Sequence, residues 1–303
     1  MVHEIFAHAL GRSYAPVKAR HPTEGRRKWR LRALYEAWPA LPAFQPANFT
    51  SPGPPAAAQP QSDDADPMDE FLADGELGIL VRTDFSDEPA WEAFAQKVRD
   101  AQADLVAELA SGGGDADADV PMDDAQPSAP VGEPSTSAAS APAADSDDDA
   151  DSDTDSTTTP DIISILDPSD PAERSRFNGI SNLTALRLFN DVDIRPAPAP
   201  PAGIKRVSPP SPLVDQGGWQ EIYTGKTLWI YDARSNVDEC ARLVSQEGDF
   251  YGTATGDSWR ARAAHIPEMQ FSMIYQGMKI DFNGLDKYDW SERARNLAEC
   301  TTL

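Results

Sequence analysis

The chain has 303 residues, 40% of them hydrophobic and 25% charged, and its formal net charge at pH 7 is −24. This hydrophobic share is normal for a soluble protein, and the sequence shows no apolar run long enough for a membrane span or a signal peptide. Its two cysteines form no CxxC pair, which argues against a disulfide framework or a structural zinc site. We therefore expect an intracellular protein, either cytoplasmic or nuclear.

The acidity is concentrated in one stretch of the chain. Residues 100–173 hold twenty Asp or Glu and no Lys or Arg, and no aromatic residue lies between Phe94 and Phe177. Such a run repels itself and has little apolar surface, so burial cannot offset the entropy lost on ordering. The sequence therefore predicts a disordered acidic insertion at 111–160.

Residues 1–45 form a basic N-terminal segment, since residues 1–50 carry eight Lys or Arg against three Glu. Apolar side chains at helical spacing predict a short amphipathic helix that Pro39 ends: Leu31, Leu34, Tyr35 and Trp38. Such a helix could serve nuclear import, contact an anionic membrane or bind a calmodulin-like partner. It could equally be a solvated segment, or pair with the acidic insertion of the same chain. The acidity of the whole chain counts against nucleic acid as a partner.

A Pro- and Ala-rich linker at 46–74 is expected to be disordered, and residues 75–110 then predict a strand followed by a helix. The apolar run from Leu77 to Val81 predicts a strand that ends at Asp84, and Ser86 or Asp87 is expected to cap the helix. Apolar positions recur through that helix at Trp91, Phe94, Val98, Leu105 and Leu109.

Residues 161–300 repeat this order of elements. Residues 162–166 predict a strand and residues 181–192 a helix. After a Pro-rich loop at 196–212, a strand at 228–231 ends at Asp232, and Ser235 is expected to cap a helix. The apolar face of that helix would carry Val237, Cys240, Leu243 and Val244. A strand at 258–263, a helix at 265–277 and a final helix to about Glu299 complete the prediction.

The segment RTDFSDEPAW at residues 82–91 resembles the opening signature of a family of fungal and actinobacterial proteins classed as a domain of unknown function. Residues 258–290 also resemble the longer fungal members, and the resemblance covers about residues 75–109 and 162–297. It implies that the strands at 77–84 and 227–232 belong to one domain. It implies no catalytic residues, because the family has no established activity.

These patterns together predict an α/β fold with a small sheet flanked by helices. The sheet would belong to a single domain, assembled from residues 75–110 and 161–300. The long acidic segment then interrupts this domain as an insertion, which costs little free energy once a surface loop is already open.

Three aspartates at predicted strand ends are the sharpest site candidates: Asp84, Asp87 and Asp232. Ligands in open α/β sheets bind beyond the carboxyl ends of strands, where Asp84 and Asp232 could hold Mg²⁺ for phosphate chemistry. The alternative is that each Asp makes a turn or caps a helix. His265 is the only histidine after residue 21, so it is a candidate general base, although its position also suits a helix start.

The sequence implies no cofactor, because residues 252–259 have neither the GK[ST] ending of a P-loop nor GxGxxG spacing. The leading interpretation is a non-catalytic interaction or regulatory module with an unknown protein partner. One alternative is a metal-dependent hydrolase or phosphotransfer enzyme that uses the strand-end aspartates. Another is a protein that binds an anionic partner through the basic N-terminal helix.

Overall fold

The computed structural model describes residues 3–43, 64–72, 77–112, 162–199, 203, 210–249, 253–282 and 289–302. By its contacts the chain divides into one unit of residues 1–105 with 160–303 and a second unit of residues 106–159. Only residues 106–112 of the second unit are described, at the end of one helix. The predicted acidic insertion beyond residue 112, residues 46–63 of the predicted linker and much of the Pro-rich loop lie outside the described residues.

The described residues form seven strands, which we list in chain order: β1 (Gly78–Arg82), β2 (Ile163–Leu166), β3 (Asp191–Pro196), β4 (Trp219–Thr224), β5 (Thr227–Tyr231), β6 (Cys240–Val244) and β7 (Ser258–Arg262). Five of them make a mixed sheet in the order β2-β1-β5-β6-β7. β1 pairs in parallel with both β2 and β5, and β6 and β7 continue the sheet in antiparallel fashion. All five residues of β1 are buried, which explains its uninterrupted apolar run.

The helices of the described residues are α1 (Glu4–Arg20), α2 (Arg26–Ala37), α3 (Glu88–Gly112), α4 (Pro171–Phe177), α5 (Asn182–Phe189), α6 (Ser235–Asp238), α7 (Ile266–Tyr275) and α8 (Trp290–Glu299). Capping side chains fix several starts, because Asp170, Ser181 and Asp289 each accept a hydrogen bond from a backbone N–H in the first turn. In the part of the chain that the structure describes, no helix combines the length and the apolar character that a membrane span requires. The small sheet flanked by helices confirms the predicted α/β fold.

The basic N-terminal segment is part of the first unit. α1 packs against α2, and α2 packs against β3 and α5. The two-stranded antiparallel ladder of β3 and β4 forms a second, separate sheet. Neither α1 nor this ladder was predicted from the sequence, although Phe6, Leu10 and Val17 line a buried face of α1.

α2 forms where the sequence predicted an amphipathic helix, and its apolar residues Leu31 and Leu34 are buried. Two of its four arginines are buried as well, so the interpretation of this helix as a solvated basic surface is wrong for Arg27 and Arg30. Arg27 pairs with Asp66 at 2.8 Å, and Arg30 lies 3.4 Å from an Asp191 oxygen. Buried arginines require such partners, and here they come from the same unit.

Residues 64–72, at the end of the predicted linker, contact both N-terminal helices. Asp64 accepts hydrogen bonds from Tyr14 and Lys18 of α1, and Asp66 accepts one from the backbone N–H of Arg27 at the start of α2. This approach is close: a Cβ on Gly25 would lie 2.4 Å from the Asp66 carboxylate. Gly25 is therefore required where the chain of residues 64–72 crosses the start of α2.

The helix predicted after Ser235 is wrong over most of its length. α6 has a single turn, Glu239 takes the left-handed conformation with φ 52°, and the chain then enters β6. Val237, expected on the buried face of a helix, is 85% exposed, whereas Leu243 is buried opposite Trp229 of β5. Residues 241–244 are buried in a strand with a neighbour on each side, and such a short segment has no clear apolar period.

Candidate functional site

The carboxyl ends of the three parallel strands meet at one edge of the sheet. β1 lies between β2 and β5, with Arg82 opposite Tyr231. An aspartate follows each strand within two residues: Asp84 after β1, Asp167 after β2 and Asp232 after β5. The structure thus brings the predicted residues Asp84 and Asp232 to one edge, together with Asp167, which sequence analysis missed.

Arg82 is the centre of this edge, and its side chain is completely buried. It donates hydrogen bonds to Glu88 at 2.7 Å and to Asp167 at 3.2 Å. Its guanidinium lies over the rings of Phe85 and Trp91, 4.8 and 5.0 Å from their centroids. Arg82 therefore joins the ends of β1 and β2 to the start of α3 through charge and ring contacts.

Asp84 is bound by neutral donors. Its Oδ2 accepts hydrogen bonds from the Ser86 hydroxyl at 2.6 Å and from the Asn236 amide at 2.9 Å. Burial raises the pKa of Asp84, but these hydrogen bonds outweigh burial, so the pKa lies below its ordinary value. Asp84 is accordingly a carboxylate that ties the β1 end to α6.

Asp87 is at the start of α3, where its Oδ1 accepts a hydrogen bond from the Ala90 N–H at 3.0 Å. This is the geometry of a helix cap, which was the alternative interpretation of this residue. Asp87 is exposed and its side chain serves the helix rather than the strand edge.

Asp232 is held by two arginines. Arg260 donates to both carboxylate oxygens, at 2.9 and 3.1 Å, and Arg242 Nε lies 3.1 Å from Oδ2. Burial raises the pKa of Asp232, but the Arg260 hydrogen bonds and both positive charges outweigh burial, so the pKa lies below its ordinary value. Arg260 also donates to Asp238, so this network crosses from β5 through β7 to α6.

His265 is at the start of α7 and its side chain is exposed. It lines a cavity of about 480 Å³ between β7 and α7, together with Met269 and Met278. None of Asp84, Asp87 and Asp232 lines that cavity. The structure therefore does not group the candidate general base with the candidate metal ligands.

The strand-end arrangement is rich in carboxylates, but their side-chain contacts are with arginine, serine, asparagine and tryptophan donors of the same unit. In the described ranges, no three His, Cys, Asp or Glu side chains are grouped so that they could hold a metal ion. Four residues of this site were not predicted from the sequence: Asp167, Asn236, Arg242 and Arg260. Asp167 had a detectable signal, because it follows the strand at 162–166 just as Asp232 follows β5.

A second group of titratable side chains is buried between α2, α5 and β4. The Glu221 side chain is completely buried, and it accepts hydrogen bonds from the hydroxyls of Tyr35 and Tyr223. Arg187 Nη2 lies 3.4 Å from the same carboxylate. Burial and then the Glu221 charge raise the pKa of both tyrosines far above the ordinary value, so they remain protonated donors.

The fold and this edge define an α/β protein with a mixed sheet, in which arginines bind carboxylates at the strand ends. No family model, no curated protein and no solved structure matches the chain. The resemblance of residues 82–91 to a family signature therefore stays a prediction. What the structure adds is a role for that string, since Arg82, Thr83, Asp84 and Asp87 each make a contact that positions β1 or α3.

Proposed function

We propose that this protein is a non-catalytic interaction or regulatory module. The observation that carries the proposal is the bidentate interaction of Arg260 with Asp232, in which the guanidinium donates to both oxygens of the carboxylate. A carboxylate that binds Mg²⁺ or activates water must direct an oxygen toward the ligand, and these oxygens are directed toward guanidinium groups.

Displacing the arginines to admit a metal ion would be costly. Arg260 and Arg242 have side chains that are only 5% exposed, and each would lose one of its two carboxylate partners, while Arg260 keeps Asp238 and Arg242 keeps Glu292. Removing the sole partner of a buried ion costs about 3–5 kcal/mol, and the remaining carboxylates would lower this cost. The same logic supports a structural role for Arg82 and Asp167 at the neighbouring strand end.

The alternative with a specific observation in its favour is phosphate chemistry at Asp84. Its hydrogen bonds come from a serine and an asparagine, so its negative charge is less fully compensated than that of Asp232. Asp84 is thus the residue through which the proposal can be tested most sharply.

The test is p-nitrophenyl phosphate turnover by the purified chain with Mg²⁺ or Mn²⁺, together with thermal unfolding in each metal. We expect no turnover above buffer and no metal-dependent rise in the unfolding midpoint. Asp84→Asn is the informative variant, and Asp87→Asn, which changes an exposed cap by the same chemistry, is its matched control. Turnover in the parent that Asp84→Asn abolishes and Asp87→Asn retains would refute the proposal.

A further inference from the structure

A cavity of about 400 Å³ opens at the start of α2, away from the strand-end aspartates. Its wall combines the first turn of α2, residues 66–68 and side chains of α4 and α5. Leu31, Met68 and Leu188 supply apolar surface, and Thr23, Thr184 and Thr302 supply hydroxyl groups. Its volume is within the range of about 300–1,000 Å³ that small-molecule sites occupy.

The charged side chains of this cavity are mainly cationic: Arg27, Lys28, Arg176 and Arg187. Two acids also line it, Glu24 and Asp66, and both already have partners. Glu24 accepts hydrogen bonds from Arg32 at 2.6 and 2.7 Å, which hold its pKa below the ordinary value. Asp66 caps α2 and lies 2.8 Å from Arg27 Nη1.

Two of the cations are exposed and have a weak partner or none. Lys28 lies 4.0 Å from Glu24, a carboxylate that Arg32 binds more closely. Arg176 is exposed, and it makes no ion pair or hydrogen bond with any residue that the structure describes. In a chain with a net charge of −24, two such cations beside one cavity indicate an anionic ligand.

The other two cations already have carboxylate partners within the fold. Arg27 lies 2.8 Å from both Asp66 and Asp69, and Arg187 lies 3.4 Å from Glu221. Lys28 and Arg176 are therefore the cations that would attract an anion into the cavity.

We propose that this cavity binds a small phosphate ester, with the phosphate near Lys28 and Arg176 and an apolar body against Leu188, which is only partly buried. The arginine guanidinium, the lysine ammonium and the threonine hydroxyls are suitable donors for phosphate oxygens. A planar or aliphatic body matches the apolar wall. This site is separate from the strand ends, so it does not depend on whether Asp84 is catalytic.

The test is isothermal titration calorimetry at low ionic strength with three probes: AMP, pyrophosphate and adenosine. We expect AMP to bind at least tenfold more tightly than adenosine, and pyrophosphate to bind more weakly than AMP because it lacks an apolar body. The double variant Lys28→Gln/Arg176→Gln should lose at least tenfold in AMP affinity, since both charge-assisted contacts are removed.

Arg99→Gln is the matched control, because Arg99 is exposed on α3, does not line the cavity and carries the same charge. It should bind AMP within twofold of the parent. All substituted side chains are exposed, and an unchanged thermal midpoint in each variant would show that the fold is retained. Absence of AMP and pyrophosphate binding would overturn the inference, as would equal AMP affinity in the double variant and the control.

Discussion

Replacing Arg82 with Met should destabilise the protein by about 3 kcal/mol. Met keeps the apolar stem that packs on Phe85 and Trp91, but it removes the guanidinium that joins the β1 end to α3 and β2. The substitution therefore isolates the charge and its hydrogen bonds from the packing of the side chain.

The magnitude follows from how deeply each partner is buried. Losing one partner of a buried ion pair costs about 3–5 kcal/mol. Asp167 is only 32% exposed, and it keeps the hydrogen bond from the Trp91 indole at 2.7 Å, which limits the penalty. Glu88 is 46% exposed, so solvent can rehydrate it and its share of the loss should be below about 1 kcal/mol.

Urea unfolding followed by tryptophan fluorescence would measure the free energy of unfolding of the parent and variants. Glu88→Gln is the control, with an expected loss below about 1 kcal/mol, and the double variant completes a cycle that gives the coupling of the Arg82–Glu88 pair. If Arg82→Met loses less than Glu88→Gln does, the reasoning that the buried guanidinium organises this edge is refuted.

Three further predictions concern stability. Gly25→Ala should lower the free energy of unfolding by about 1–3 kcal/mol, because the new Cβ would meet the Asp66 carboxylate and the Pro67 ring. Gly11→Ala, which has open space around it in α1, should raise it by about 0.5–1 kcal/mol. Equal urea midpoints for the two variants would contradict this. Glu239→Gly should stabilise by about 1 kcal/mol because glycine tolerates φ 52°, and Glu239→Ala, which keeps the strained backbone, should not. Because the pKa of Asp232 is lowered in the folded state, its contribution is complete above the unfolded value of about 3.9 and is lost as the pH falls through the folded value. Parent and Asp232→Asn unfolding curves should therefore converge on acidification, and a constant difference from pH 7 to pH 3 would contradict this.

Much of the sheet could be predicted from the sequence because its signals are local. Strands β1 and β5 are short buried runs that end at a polar residue, and the start of α5 is marked by the Ser181 cap. The strands predicted at 77–84 and 227–232 form as β1 and β5, which are hydrogen-bonded neighbours in one sheet.

β6 could not be predicted because the local sequence favours a helix, whereas pairing with distant strands decides its structure. Ser235, which was predicted to cap a helix, is instead the first residue of a single helical turn with Arg234 at the N-cap. Glu239 then takes a left-handed conformation that favours glycine, and nothing in its residue type indicates this. Pairing with β5 and β7 then decides the structure of residues 240–244. Tertiary contacts outweigh local propensity over such short segments.

For a similar reason, two aspartates of the strand-end site were predicted and their arginine partners were not. Asp84 and Asp232 follow recognisable strands, so their arrival at one edge could be expected. Their arginine partners could not be identified, because Arg260 is 28 positions from Asp232 along the chain and becomes a neighbour only through the antiparallel path of β6 and β7. The chemistry of a carboxylate depends on such partners more than on its own position.

Residues 26–32 offer an anion fewer unpaired cations in the structure than in the sequence. In the sequence, the arginines of residues 26–32 form one basic cluster, and an anion could bind anywhere along it. In the structure, Arg27 and Arg30 are buried against aspartates that are about 40 and 160 residues away in the chain, so their charge is already compensated. Lys28 keeps an exposed charge, and the fold places it in the same cavity wall as Arg176 of α4. Lys28 and Arg176, beside the start of α2, are therefore the cations that remain available to an anion.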